Sequence, residues 1–365
     1  MLHWFPLEEL SERYTQDWAR WFPQVFCDQG IRFATHDGDS LTDIIESGEF
    51  LDIHSRPYFA MSQIMSYVEW HRIHKDASDI LLFADLWHHG IESIPYMKWL
   101  GKHNIETYGI FHAGSYDPND FLRLAGCDSW AWYFEQMIAS FVDFMFVGTE
   151  WSKILLEKVT PKLGYEKIKV TGLPVDINRI KDLRLPEKKP RIVFPHRLAP
   201  EKNPIEAFLI ANAVLSNDPE AEFYVTSGKR PQHILSNVRD QTIVKELREL
   251  QTEYPGRVRI ESFPDKDNYL SFLSKCSVML STSKQETFGY GTIESMAAGV
   301  TPVVPDRLSY PELLGEDHHY IYDDSDQAYE MVMKYLHKPH DLSDKVEKYQ
   351  YQTVIKNMLK EMGLD

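Results

Sequence analysis

Two clusters of residues in this chain have the types and spacing to do chemistry on an anion. In "FPHRLAPEKNP", Arg197 and Lys202 stand five positions apart across a turn containing Pro200, directly after the apolar run "RIVF". Two cations at the carboxyl end of a strand can neutralise a diphosphate and the charge developing on it. In "STSKQETFGYGTIESMAAG", Glu286 and Glu294 stand eight positions apart, with Phe288, Gly289, Tyr290 and Gly291 between them. Glycines let backbone amides come close to a ligand, and the start of the following helix adds partial positive charge. Such a site suits a diphosphate. Carboxylates flanking it are suited to accept hydrogen bonds from ribose and sugar hydroxyls.

Both clusters need strands to place them, and strand and helix signals alternate along nearly the whole chain. "MLHWFPL", "IRFATHDGD", "DILLFADLW", "IETYGIFHAG", "DFMFVGT" and "KIKVTGLP" read as strands, with helical patterns between them. A second run begins at "RIVFPHRL" and continues through "EAEFYVTSG", "RVRIESF" and "SVMLSTS". This alternation predicts an α/β fold with parallel sheets. The polar stretch "INRIKDLRLPEKKP" with two prolines is the expected linker. The expected organisation is two Rossmann-like domains facing a cleft, over 1–180 and 190–340, and a terminal helix over 341–365. In open parallel sheets ligands lie beyond the carboxyl ends of the strands, so polar residues just after apolar strands are the candidates.

Composition narrows the class. The 365 residues, 43 % hydrophobic and 26 % charged, suit a globular protein of about two domains. Cys27, Cys127 and Cys276 are far apart and odd in number, which argues against a disulfide framework and for a reducing, cytoplasmic setting. No long apolar run or secretory leader is visible, so no membrane span is expected. A formal net charge of −16 weighs against a non-specific nucleic-acid coat but leaves room for a local basic cleft.

The Arg-x4-Lys pair after the first strand of the second half, with Glu-x7-Glu enclosing Phe-Gly, resembles the retaining glycosyltransferases of the GT-B fold. The similarity is greatest to the large family-four group. It extends over "DFMFVGTEWSKILLEKV", "IKVTGLPVDINRI" and most of residues 143–314. The resemblance implies that Arg197 and Lys202 hold the donor diphosphate, Glu294 the ribose, and Glu286 the hydroxyls of the transferred sugar. Backbone amides of Phe288, Gly289 and Tyr290 would complete the phosphate cradle. The loop holding Ser262, Phe263 and Asp265 would meet the nucleobase. It further implies a nucleotide-diphosphate sugar as donor, with a UDP-sugar expected, and no cofactor or metal. Retention is thought to proceed without a protein nucleophile, the leaving diphosphate taking the acceptor's proton on the same face. The first half departs from the family, lacking a glycine loop in "FPLEELSERYTQDW". That end is therefore assigned to the acceptor, with His112 at a strand end near the reacting sugar. Asp85, Trp87, His88 and Tyr116 are the expected acceptor contacts.

Asp37-Gly38-Asp39 reads as a turn, and the paired histidines lack metal-ligand spacing with a third partner. The aromatics of "DSWAWYFEQM" read as core, with base stacking as the alternative. For the acceptor, "PDRLSYPELL" is similar to the tRNA-queuosine mannosyltransferase branch. "PLEELSERYTQDWARWFP" looks like phage enzymes that glycosylate hydroxymethylated DNA bases. Both point to a hydroxyl on a modified nucleobase, hence to DNA or tRNA modification. Lys229 and Arg230 would supply cations for such a partner. A glycan, lipid or small-molecule acceptor, a sugar-nucleotide epimerase, and a non-catalytic nucleotide-sugar-binding protein are the alternatives.

Overall fold

The structure, a computed structural model, describes residues 1–9, 14–41, 53–74, 78–160, 165–226, 238, 240–315 and 318–364. Its chain divides into two compact units, Met1–Pro174 with Tyr351–Asp365, and Val175–Gln350. In the first, β1 (Leu2–Phe5), α1 (Tyr14–Asp28), β2 (Phe33–Thr35), α2 (Ser55–Ile73), β3 (Asp79–Phe83), α3 (Ser93–Leu100) and β4 (Ile105–Ile110) follow one another. Then come α4 (Phe121–Leu124), α5 (Asp128–Phe141), β5 (Phe144–Val147), α6 (Glu150–Glu157) and β6 (Ile168–Val170). The sheet runs β2-β1-β3-β4-β5-β6, all parallel, with Phe5 opposite Phe83.

The second unit holds α7 (Ile177–Asp182), β7 (Lys189–Phe194), α8 (Pro204–Asn217), β8 (Glu222–Thr226), α9 (Gln241–Glu253), β9 (Val258–Glu261) and α10 (Lys266–Leu273). It continues with β10 (Cys276–Leu280), α11 (Tyr290–Ala297), β11 (Thr301–Pro305), α12 (Tyr310–Leu314), β12 (Ile321–Tyr322) and α13 (Ser325–Leu336). Its sheet is also parallel, in the order β12-β11-β10-β7-β8-β9. Ile192–Phe194, Val278–Leu280 and Val303–Val304 are buried as continuous runs. Unbroken apolar strands are what a parallel sheet covered on both faces requires. Around it, α9 turns Ile243, Val244, Leu247 and Leu250 inward at helical spacing. Thr149, Asp176, Asp240, Asp265 and Asp324 cap their helices by accepting backbone N–H bonds, each worth about 0.5–2 kcal/mol.

Two expectations are corrected. The stretch 177–190 is no linker: Asp176 caps α7, Ile177 and Ile180 are buried, and β7 opens at Lys189. The terminal helix over 341–365 is two segments. Residues Ser343–Tyr349 form a 3-10 helix, Gln350 is extended (φ −53°, ψ 128°) and bridges Val175, and α14 (Tyr351–Glu361) starts afresh. The final helix packs within the first unit: α14 lies on α1, with Tyr351 stacked on Trp21 at 4.8 Å between ring centroids.

The first unit is pinned by a buried polar chain. Ser66 Oγ meets His36 Nδ1 at 2.9 Å, His36 Nε2 meets His3 Nδ1 at 2.9 Å, and His3 Nε2 meets Asp79 Oδ1 at 3.2 Å. Asp79 Oδ2 also accepts from Tyr67 at 3.1 Å and from His71 Nδ1 at 2.8 Å. The bonds run in one sense if the Ser66 hydroxyl donates and each imidazole passes a donated hydrogen on to the carboxylate. Burial pushes the Asp79 carboxyl up, but its histidine and tyrosine donors outweigh that and hold it below its ordinary value. Burial, then the nearby His3, lowers His36 to about 4, against the opposing pull of Asp79. Removing the shared acceptor strands three buried donors, so Asp79→Ala should cost the fold about 3–5 kcal/mol in urea unfolding. The depressed His36 pKa sets a second sign. The protonated ring favours the unfolded chain, so stability is full above an unfolded value of about 6.5 and declines as pH falls from there to about 4. His36→Gln should flatten that slope.

Candidate functional site

In the second unit the chain runs outward from β7 through β8 to β9, then returns to β10 on the other side of β7 and runs outward through β11 to β12. The loops leaving β7 and β10 therefore part in opposite directions and leave a crevice at the carboxyl ends of the strands. The β7 loop carries His196, Arg197 and a short 3-10 turn, Pro200–Lys202; the β10 loop carries Glu286. Thr282 Oγ1 stitches the two together by donating to the carbonyls of Lys202 and Asn203 at 3.0 and 2.8 Å.

At that crevice Lys202 and Glu286 meet. Lys202 Nζ donates to Glu286 Oε2 at 3.2 Å and to the Gln285 carbonyl at 2.6 Å. Glu286 Oε1 accepts the Gly289 N–H at 3.1 Å. Lys202 is only 8 % exposed, a position an ammonium tolerates when paired. Burial pushes the Glu286 carboxyl up, but Lys202 and the Gly289 amide outweigh that and hold it below its ordinary value. Gly289 caps α11 in the left-handed region at φ +87°, where an added Cβ would also sit 3.1 Å from Leu313 Cδ1. A Cβ on Gly291 would lie 3.2 Å from the Pro195 carbonyl, so the start of α11 presses against the end of β7.

Around this pair stand the other expected residues. Arg197 is half-exposed and its Nε donates to Glu201 Oε1 at 2.7 Å. Glu294, on α11 and 8 % exposed, accepts from Lys266 Nζ at 2.6 Å. Ser262 and Phe263 lie in the loop between β9 and α10, and Phe263 packs its ring against Tyr269 and Phe272 at 5.6 and 5.0 Å. Phe288 is an anchor: its buried ring meets Tyr290 and Tyr349 edge-on, each at 5.0 Å, leaving only its backbone for a ligand.

Two residues here escaped the sequence reading. His196 is buried against Phe194, and its Nε2 has no hydrogen-bond partner. Burial, then the Lys202 cation, lowers it to about 3 against the pull of Glu286, so the ring is neutral at ordinary pH. Lys266 opens α10 directly after the loop singled out for the base; its sequence signal is that position alone.

The first unit brings together a different set. Asp85 follows β3, accepting from the Trp87 N–H at 2.9 Å and from Arg56 at 3.3 Å. His112 follows β4, its Nε2 donating to the Ala84 carbonyl at 2.8 Å and its Nδ1 facing the Tyr14 hydroxyl at 3.4 Å. Trp87 Nε1 donates to Glu135 Oε1 at 3.0 Å. Glu135, fully buried on α5 and also missed, accepts from the Ser115 amide and hydroxyl at 2.6 and 2.7 Å. Burial raises its carboxyl, and the Trp87 and Ser115 donors partly offset the rise.

Two expected acceptor contacts are corrected. The turn after β3 folds His88 inward onto Gln63 Oε1 at 3.0 Å, leaving it 3 % exposed. Tyr116 is 4 % exposed against Phe111. The α5 aromatics divide: Trp132 and Phe134 pack against the core, whereas Trp130 and Tyr133 are exposed, because a helix on one face of a sheet buries one stripe only. Lys229 and Arg230 lie outside the described residues.

Comparisons with known proteins bear on the family and the fold. Residues 176–353 match the family described as "Glycosyl transferases group 1". The chain is 25 % identical over 136 residues to a tRNA-queuosine alpha-mannosyltransferase of Drosophila melanogaster, covering 37 % of this chain and 33 % of that one. It is 28 % identical over 183 residues to a GDP-Man:Man(3)GlcNAc(2)-PP-Dol alpha-1,2-mannosyltransferase of Dictyostelium discoideum, covering 46 % of this chain and 35 % of that one. The chain thus spans about a third of the length of these two relatives. Among solved structures, sucrose-phosphate synthase from Thermosynechococcus elongatus matches with a TM-score of 0.69 at 15 % identity, over 99 % of this chain and 98 % of that one. Anabaena HepE, in complex with UDP and glucose, matches with a TM-score of 0.62 at 14 % identity, over 100 % and 99 %. The fold is GT-B, and the residues that match the "Glycosyl transferases group 1" family, 176–353, include both Lys202 and Glu286.

Proposed function

We propose that this chain is a retaining glycosyltransferase that moves a sugar from a nucleoside-diphosphate sugar to a hydroxyl on a modified nucleobase. The observation that carries the donor half is the contact between Lys202 and Glu286 at the strand-order reversal of the second sheet. One loop supplies cations for a diphosphate and the other supplies a carboxylate for sugar hydroxyls, within a single hydrogen bond of each other. HepE supports the class of donor by analogy, as a protein of like fold seen with UDP and glucose. The similarity to a tRNA-queuosine mannosyltransferase supports the acceptor half.

In this reading the bond from the sugar's anomeric carbon to the diphosphate oxygen breaks as the acceptor oxygen bonds to that carbon on the same face. The acceptor's proton passes to the departing diphosphate oxygen. Lys202 and Arg197 stabilise the charge arriving on the diphosphate, Glu286 orients the sugar, and Glu294 the ribose. Because each of these cations is already paired with a carboxylate, donor binding exchanges partners at both cations. His112 lies at the end of β4 in the acceptor-side unit.

A second acceptor, a lipid-linked glycan, is favoured by the exposure of Tyr96, Trp99 and Leu100 on α3 and by the dolichol-linked substrate named for the Dictyostelium relative. Among the described residues no helix is long and apolar enough to cross a membrane.

Donor binding is read by thermal shift against UDP-, GDP- and ADP-sugars; a true donor at 100 times its dissociation constant should stabilise by about 2.7 kcal/mol. The hit is then offered queuosine-bearing tRNA, hydroxymethylated DNA and a lipid-linked oligosaccharide, and the product's anomeric configuration is read by NMR. Retention and transfer to a nucleobase hydroxyl are expected. Lys202→Ala and Glu286→Ala should each lower kcat/KM at least about tenfold, since one hydrogen bond to a charged group is worth about 1.5–3 kcal/mol. Turnover unchanged in both variants would refute the site.

A further inference from the structure

We infer that Lys266 selects the donor's base, admitting nucleoside diphosphates whose base presents a carbonyl oxygen and discriminating against adenine. This rests on the reading that Glu294 holds the donor ribose. Lys266 Nζ lies 2.6 Å from Glu294 Oε1, so a ribose accepted by that carboxylate brings its base within reach of the same ammonium. A flexible four-carbon stem lets the head group leave the carboxylate when hydroxyls replace it there. What it then meets is the edge of the base.

The chemistry of that edge decides the outcome. An ammonium offers three donors and no acceptor. Uracil and guanine turn carbonyl oxygens to such a cation, whereas adenine turns an amino group at the corresponding position. The surroundings sharpen the choice. Asp265 is occupied in capping α10, with Oδ1 accepting the Asn268 N–H and Oδ2 its side-chain amide, each at 2.8 Å. Asp267 is held by Arg179 at 2.6 Å. The Phe263 ring, half-buried on Tyr269 and Phe272, gives the base an apolar face beside the cation. The Lys266 ammonium itself lies 4.9 Å from the centroid of the Tyr269 ring, which steers it along one side of α10.

The test is isothermal titration of the full chain with UDP, GDP and ADP, in wild type, Lys266→Met and Lys266→Arg, with circular dichroism confirming that each variant is folded. Wild type should bind UDP or GDP at least about tenfold more tightly than ADP, the low end of what a charged hydrogen bond is worth. Lys266→Met should bring that ratio to within about threefold, and Lys266→Arg should preserve most of it. The ratio is the readout, because freeing Glu294 of its partner changes ribose binding alike for all three nucleotides. Equal weakening of every nucleotide, with the ratio intact, overturns the inference and leaves the donor site standing. So does a wild type that prefers ADP. Failure of wild type to bind any of the three overturns the donor reading itself.

Discussion

The second unit is organised around one interaction, the ion pair between Lys202 and Glu286. Each partner sits on a loop that leaves the sheet where its strand order reverses, and neither is well exposed. A lysine buried to this degree is costly unless an anion meets it, and breaking such a pair is costlier than never forming it. The bond therefore fixes the register of the β7 loop against the β10 loop. The left-handed Gly289 lets the backbone turn so that its own amide joins the same carboxylate. The same hydrogen bonds that join the two loops also hold the Lys202 and Glu286 head groups in place.

The pattern repeats at lower cost nearby. Arg197 with Glu201 and Lys266 with Glu294 make two more internal pairs, so the cations of these loops are balanced by neighbouring carboxylates. For a chain of formal charge −16 this matters, since unpaired carboxylates crowded at the strand ends would repel one another. His196, buried and neutral, adds no charge to this balance.

Much of this was legible in the sequence for local reasons. Arg197, Lys202, Glu286 and Glu294 each follow an apolar strand or open a helix within a few residues, and strand-end position is a property of the pattern itself. The alternation of buried runs and amphipathic stretches likewise gave the parallel sheets. What escaped depends on distant parts of the chain. His88 reads as a loop residue after a strand, and only its meeting with Gln63 on α2 shows that it turns inward. Glu135 sits among aromatics at helical spacing, and its role appears once Ser115 and Trp87 converge on it. The short helix α7 has two buried apolar residues and was masked by its charged neighbours.

The extended conformation at Gln350 has a consequence for the order of assembly. Residues Val175–Gln350 form a compact unit interrupting the other one, whose α1 surface, including Trp21, is covered by Tyr351 of α14. During synthesis the intervening unit is complete before the ribosome reaches α14. The earlier-made half must meanwhile keep an aromatic surface open to solvent. The α1 surface that α14 covers is therefore the last part of the first unit to meet its partner.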